Sequence, residues 1–207
     1  MKRNPYPGKF IVFEGLDGSG KNVQTELLYR FFKKNNQKVV KTKEPTQESE
    51  YGKILKEILN QKKESSPQEI QKLFSQDRQW HIKNIIEKAL KEKKIVICDR
   101  YLFSTLSYGI ASGLDYKFLW SLNKKFPLPD IVFFLDVDPN TALERIKKRG
   151  EKRSLFEKKS YLERVYTAYQ KVMKKFKNKT KIYFIDGKRS INEIFEEIKQ
   201  ILKKEIL

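Results

Sequence analysis

The stretch KFIVFEGLDGSGKNVQ, Lys9 to Gln24, joins an apolar run ending at Glu14 to a glycine-rich turn and then to a helical pattern. Gly15, Gly20 and Lys21 fit the spacing G-x-x-x-x-G-K, and Gly18 adds a third position able to take positive φ. Such a turn curls successive backbone N–H groups around phosphate oxygens, and the N-terminus of the following helix adds its partial positive charge. Gly15, Leu16, Asp17, Gly18, Ser19, Gly20, Lys21 and Asn22 are therefore expected to hold nucleotide phosphates, with Lys21 as a mobile point charge on the β- and γ-phosphates. After the lysine the pattern calls for Ser or Thr, whose hydroxyl reaches Mg²⁺; this chain has Asn22. An amide oxygen is also a Mg²⁺ ligand, so Asn22 is a candidate to hold the ion, the alternative being an ion resting on phosphates and water alone.

Outward from this turn, strand and helix patterns alternate. Gln24 to Lys34 sets Leu27, Leu28, Phe31 and Phe32 on one helical face, and Lys38 to Lys43 reads as a second strand. Glu44-Pro45 ends that strand, because proline cannot continue a ladder and keeps the preceding residue out of helical geometry. A short helix spans Tyr51 to Asn60. Ser66-Pro67-Gln68-Glu69 is a capping box with proline at the first helical position, opening the longest helix, out to Lys91. Ile95 to Cys98 is a continuous apolar run, as in a parallel strand covered on both faces, and it ends in Asp99-Arg100-Tyr101. Helices from Leu102 to Ala111 and from Asp115 to Lys124 follow, then a fourth strand from Ile131 to Leu135 and a helix capped by Asp138 with Pro139 after it. A helix from Tyr161 to Phe176, a fifth strand from Lys181 to Ile185 and a last helix capped at Ser190 complete the pattern. The expected fold is α/β, that of a P-loop NTPase: a five-stranded parallel sheet with helices on both faces and ligands at the carboxyl ends of the strands. A single domain over 1–207, with a short charged lid at about 149–159, suits the length.

Lys and Arg number 45 against 26 Asp and Glu, a net charge of +19 that attracts anions. The lysines recur along solvated helix faces, and no zinc-finger, RNP or basic-zipper pattern accompanies them, so charge alone does not make a nucleic-acid binder. Cys98 is the sole cysteine, which excludes an intrachain disulfide and suits a reducing compartment. The opening MKRNPYPGKF lacks the apolar core of a secretion signal, and no stretch reaches the ~20 apolar residues of a membrane span. The expectation is a cytoplasmic protein with neither membrane nor nucleic acid as partner. His81, the single histidine, is expected to be structural, since phosphoryl transfer needs no histidine base and no further metal ligands cluster near it.

Three polar clusters fall just after strands: Gly15 to Asn22, Lys43-Glu44-Pro45 and Asp99-Arg100-Tyr101. In a doubly wound sheet they converge on one crevice. Asp99 is expected to orient Mg²⁺-bound waters, and Arg100 to offer a bidentate fork to a second phosphate. In the charged segment, Arg149, Lys152 and Arg153 are candidates to meet the charge that develops on a transferred phosphoryl group.

Gly15-Leu16-Asp17-Gly18-Ser19-Gly20-Lys21, Gln24, Glu44-Pro45, Leu73-Phe74 with Asp77-Arg78, Asp99-Arg100-Tyr101, Leu135-Asp136-Val137-Asp138-Pro139 and Arg149-Gly150-Glu151 follow one another in an order that resembles the thymidylate kinases, collinear from about Lys9 to Gln200. The resemblance implies transfer of the γ-phosphoryl group of ATP to dTMP, with Mg²⁺, by a homodimer. It implies that Phe74 stacks on thymine, Arg78 hydrogen-bonds its exocyclic oxygen, Arg100 holds the dTMP phosphate, Asp17 lies near the sugar 3′-hydroxyl and Tyr108 lines the base pocket. Glu44, Pro45 and Tyr101 complete the implied acceptor site; Lys21, Asp17, Arg100 and Arg153 form the implied catalytic set, with Arg149 on the ATP side. Lys43 stands where many relatives carry arginine, and Gly109 where bacterial relatives often have a polar residue beside the base. Two other readings stay open at this point. One is a deoxynucleoside kinase, which shares the loop, a Glu after the second strand and an Asp-Arg pair; the other is a catalytically weakened nucleotide- or nucleic-acid-binding protein, suggested by Asn22 and the +19 charge.

Overall fold

The computed structural model describes residues 1–148 and 159–206. Strand β1 (Lys9–Glu14) is buried from its second residue onward and forms the middle of a five-stranded sheet ordered β2-β3-β1-β4-β5. The others are β2 (Val39–Lys43), β3 (Ile95–Asp99), β4 (Ile131–Asp136) and β5 (Lys181–Asp186), and every pair is parallel. All five carboxyl ends therefore share one edge. The strands on either side of β1 are reached by connections running in opposite senses, which opens a crevice at that edge just beyond Glu14.

The two faces of β1 feed separate cores, as a two-residue side-chain period requires. Phe10 and Val12 pack with Leu90, Phe103, Leu106 and Phe176 on one side. Ile11 and Phe13 pack with Leu28, Phe32, Phe133 and Ile198 on the other. Around the sheet run α1 (Lys21–Lys34), α2 (Glu50–Leu59), α3 (Pro67–His81), α4 (Glu87–Lys91), α5 (Leu102–Ala111), α6 (Tyr116–Asn123), α7 (Pro139–Lys148), α8 (Lys159–Phe176) and α9 (Ile191–Glu205). Among the described residues no helix is long and apolar enough to cross a membrane.

The capping chemistry sets most boundaries. Ser66 with Glu69 and Ser190 with Glu193 form reciprocal capping boxes, and Asp115 accepts from the N–H groups of Lys117 and Phe118. Helix α1 starts at Lys21, directly after the glycine turn, because Gly20 takes a left-handed conformation (φ 95°) and lets the turn close into the helix. The long helix expected from Ser66 to Lys91 is broken in register: a π-helical turn, Ile82–Ile86, separates α3 from α4. No proline or glycine marks the spot; tertiary packing decides it.

Replacing Phe133, fully buried against Phe13 and Tyr183, by alanine is expected to cost about 3–5 kcal/mol of stability in urea unfolding. A loss under about 1 kcal/mol would mean that this core collapses around the cavity.

Candidate active site

The turn after β1 is built by its glycines. Gly15, Gly18 and Gly20 have φ of 143°, 82° and 95°, values an L side chain rarely adopts. At Gly18 a Cβ would also stand 2.4 Å from the carbonyl oxygen of Ala142, so only glycine lets α7 close onto the loop. Lys21 turns back over the loop, its Nζ donating to the carbonyls of Gly15 (3.1 Å) and Leu16 (2.7 Å). Burial, together with the nearby charge of Arg100, pushes its pKa down to about 8. The buried ammonium thus has carbonyl oxygens as its hydrogen-bond acceptors, an arrangement that an anion placed over the loop would stabilise.

Across the crevice, the end of β3 is tied to both neighbours: the Glu44 N–H after β2 donates to Asp99 O (3.0 Å) and the Arg100 N–H to Phe13 O of β1 (2.9 Å). Arg100 is itself left-handed (φ 69°), a conformation costing about 1–2 kcal/mol in a non-glycine residue. It throws the guanidinium toward the glycine loop, where Nη2 donates to Asp17 (2.7 Å). Burial alone would raise the Asp17 carboxyl, but the charges of Arg100 and Lys21 outweigh it and hold the pKa at about 2. A cavity of about 280 Å³ lies beside this pair, lined by Lys43, Glu44, Pro45, Asp99 and Arg100 among others.

Behind the cavity stands a second buried charge cluster. Glu44 Oε2 accepts from Arg78 Nε (2.9 Å) and Nη2 (2.6 Å), and its Oε1 pairs with His81 Nδ1 (3.1 Å), whose Nε2 meets Thr42 Oγ1 (2.7 Å). Asp77 accepts from the Thr46 N–H (2.9 Å) and the Thr46 hydroxyl (2.5 Å), pinning the loop after Pro45 onto α3.

A family model described as "Thymidylate kinase" matches residues 13–198. A probable thymidylate kinase of Pyrococcus horikoshii is 39% identical over 97% of this chain and 98% of its own. A probable thymidylate kinase of Methanocaldococcus jannaschii is 40% identical over 94% and 95%, and a thymidylate kinase of Brachyspira hyodysenteriae 36% identical over 95% and 94%. The chain belongs to the thymidylate kinase family.

The fold brings many of the family positions to one edge of the sheet, though not all to its surface. Gly15 to Asn22, Asp17, Asp99, Arg100, Glu44 and Pro45 ring the crevice, and Tyr108 reaches it through a hydroxyl donated to Asp17 (3.2 Å). Phe74 is half-buried against the cluster of Leu55, Ile58 and Ile70. Arg78 lies in the wall of the site, at the buried Glu44 cluster. It is 1% exposed, its donors go to Glu44, Asn123 and Thr105, and its guanidinium carbon lies 5.1 Å from the centre of the Tyr101 ring and 5.7 Å from that of Phe126. Tyr101 likewise belongs to the core, packed edge-on against Phe10 with its hydroxyl on Pro127 O (3.0 Å). Gly109 faces α6: a Cβ there would meet the Leu119 side chain at 2.5 Å, so the glycine serves helix packing. Arg149, Lys152 and Arg153, with most of the charged segment, lie outside the described residues.

Asp99 Oδ1 is buried and has no hydrogen-bond partner among the described residues, and no group of three or more His, Cys, Asp or Glu there could hold a metal. One orphaned carboxylate oxygen and no protein cage suit Mg²⁺, which keeps several waters and takes its remaining ligands from phosphates. Sequence reasoning missed Glu14, Ser104 and Tyr169, which surround Arg100. Tyr169 lies 155 positions from Glu14, and nothing in its local pattern separates it from a core tyrosine.

Since Asp17 is held near 2 against an ordinary 3.8, its ionised form stabilises the fold above about pH 4, and that contribution is lost as pH falls through 2. Asp17→Asn is expected to lower Tm at pH 7, with the gap to wild type closing between pH 4 and 2. A gap that stays constant over that range would remove the Asp17–Arg100 pair as its cause.

Proposed function

We infer that this protein transfers the γ-phosphoryl group of ATP to dTMP, giving dTDP and ADP. The observation that carries the inference is the meeting, at one sheet edge, of a glycine phosphate loop and a second cationic subsite at Arg100, in a chain of the thymidylate kinase family. Two phosphates approach one another from opposite sides of β1. The backbone N–H groups of Gly15 to Asn22 cradle the donor phosphates, and Lys21 leaves its carbonyl partners for the β- and γ-oxygens. Arg100 presents the acceptor phosphate, exchanging part of its hold on Asp17, which is freed to accept from the sugar 3′-hydroxyl. Phe74 offers its ring to the thymine, and Tyr108, Glu44 and Pro45 close that side. In-line placement of donor and acceptor supplies much of the catalysis in such transfers, because the loose transition state asks chiefly for position and charge.

Asn22 and Asp99 would hold Mg²⁺, Asn22 by its amide oxygen and Asp99 through water. When bound, the ion neutralises charge on the β- and γ-phosphates. Homodimeric assembly in the cytoplasm belongs to the same proposal, supported by the family resemblance and the lone buried Cys98; light scattering of the purified protein tests the assembly.

An ADP-release assay with ATP, Mg²⁺ and a panel of dTMP, dUMP, dCMP, AMP and thymidine is expected to give turnover with dTMP well above the rest. Turnover on thymidine alone would overturn the proposal. Lys21→Ala is expected to lower kcat by at least about 100-fold with the fold intact by circular dichroism. Asn22→Thr is expected to raise kcat or tighten apparent Mg²⁺ affinity; if it weakens both, the amide is the adapted ligand.

A further inference from the structure

Arg100 is gripped from two sides by groups of unequal kind. Nη2 meets the Asp17 carboxylate (2.7 Å) and the Tyr108 hydroxyl (3.3 Å). Nη1 meets two hydroxyls, Ser104 Oγ (3.0 Å) and Tyr169 Oη (3.2 Å), which carry no charge of their own. Their direction comes from Glu14, a fully buried carboxylate at the end of β1. Its Oε2 accepts from Ser104 Oγ (2.6 Å) and Tyr169 Oη (2.8 Å), the two hydroxyl oxygens lying 2.7 Å apart. Its Oε1 accepts from the N–H groups of Tyr101 (2.8 Å) and Ser104 (3.2 Å), so the carboxylate also caps helix α5 from another element. A hydroxyl has one hydrogen. Ser104 Oγ and Tyr169 Oη have two hydrogens to share between Glu14 Oε2 and their own 2.7 Å contact, which leaves lone pairs on both oxygens facing Nη1, so Ser104 and Tyr169 act as its acceptors.

We propose that Tyr169, with Ser104 and anchored on Glu14, is a positioning residue for Arg100: it pins Nη1 as a pivot while the rest of the guanidinium exchanges Asp17 for the acceptor phosphate. This rests on Arg100 holding that phosphate. The Nη1 bonds go to neutral oxygens, one of them on the fully buried Tyr169, whereas the Nη2 bonds go to the one-third exposed Asp17 carboxylate and the Tyr108 hydroxyl. An incoming dianion competes for the second and leaves the first in place. Without the Tyr169 hydroxyl, Arg100 gains rotamers that acceptor binding must then freeze, an effect of about three- to tenfold in affinity. ATP binding on the glycine loop is untouched.

Tyr169→Phe keeps the ring that packs on Phe134 and Tyr108 and removes the oxygen. The expected result in steady-state kinetics is a KM for dTMP raised about three- to tenfold, with KM for ATP changed less than about twofold. Ser104→Ala is expected to move the same parameter in the same direction, and it decides the question if Tyr169→Phe does not fold. Arg100→Lys, which keeps charge and loses the fork, is the reference. Tyr169→Phe in that background is expected to add little, since the group it positions is gone. An unchanged KM for dTMP in Arg100→Lys would overturn the acceptor-arm reading itself. If Arg100→Lys raises that KM while Tyr169→Phe raises neither KM, raises both equally, or adds its full effect to Arg100→Lys, the positioning role is wrong and the acceptor arm stands.

Discussion

A carboxylate without solvent, Glu14 at the end of the central strand, is the constraint on which the site depends. Burial pushes its pKa up; the charge of Arg100 and hydrogen bonds from Ser104, Tyr169 and Tyr101 oppose that. An unpaired buried carboxylate would be prohibitive, so the surrounding elements have to arrive with donors in place. Helix α5 brings two N–H groups and the Ser104 hydroxyl, and α8 brings Tyr169. The same contacts bind both helices to the strand that launches the phosphate loop. Arg100 and the glycine loop therefore share one support, and the left-handed strain at Arg100 is held by it.

Glu44 repeats the device on the neighbouring side, at the end of β2. There the partners are Arg78 and His81 from α3, and the Arg78 guanidinium also lies against the rings of Tyr101 and Phe126. A buried ion pair of this kind contributes little net stability over an apolar substitute, but removing one member strands the other, a loss of about 3–5 kcal/mol. Its effect here is geometric. It fixes where β2 ends and where Pro45 and Thr46 leave the sheet, and so shapes the cavity beside Arg100.

The electrostatics of the crevice are incomplete by design of its parts. Lys21 and Arg100 repel one another, and Asp17 answers both. Anionic groups entering the crevice would relieve the repulsion and raise the depressed pKa of Lys21. Far more positive charge lies on the outer helices than in this crevice; the +19 of the whole chain gathers anions, while the few buried charges orient them.

The sequence by itself determined the strands, nearly every helix and the phosphate loop. Glycine φ, proline geometry, capping boxes and apolar period are local properties, readable within a few residues of where they act. It also carried the ordered motif set from Gly15 to Asp138, and with it the family. What it could not fix were features set by residues far apart along the chain. The π-helical turn at Ile82–Ile86 has no proline or glycine to announce it. The resemblance gave Arg78 and Tyr101 their places in the implied acceptor site, but nothing local showed that both are buried; Glu44, Asn123 and Phe126, far off along the chain, enclose Arg78. Glu14 read as the last residue of a strand, and Tyr169 as one tyrosine in an amphipathic helix. Their meeting across 155 positions is a consequence of closure of the sheet edge by α8, since a buried charge is satisfied by whichever donors the tertiary fold delivers to it.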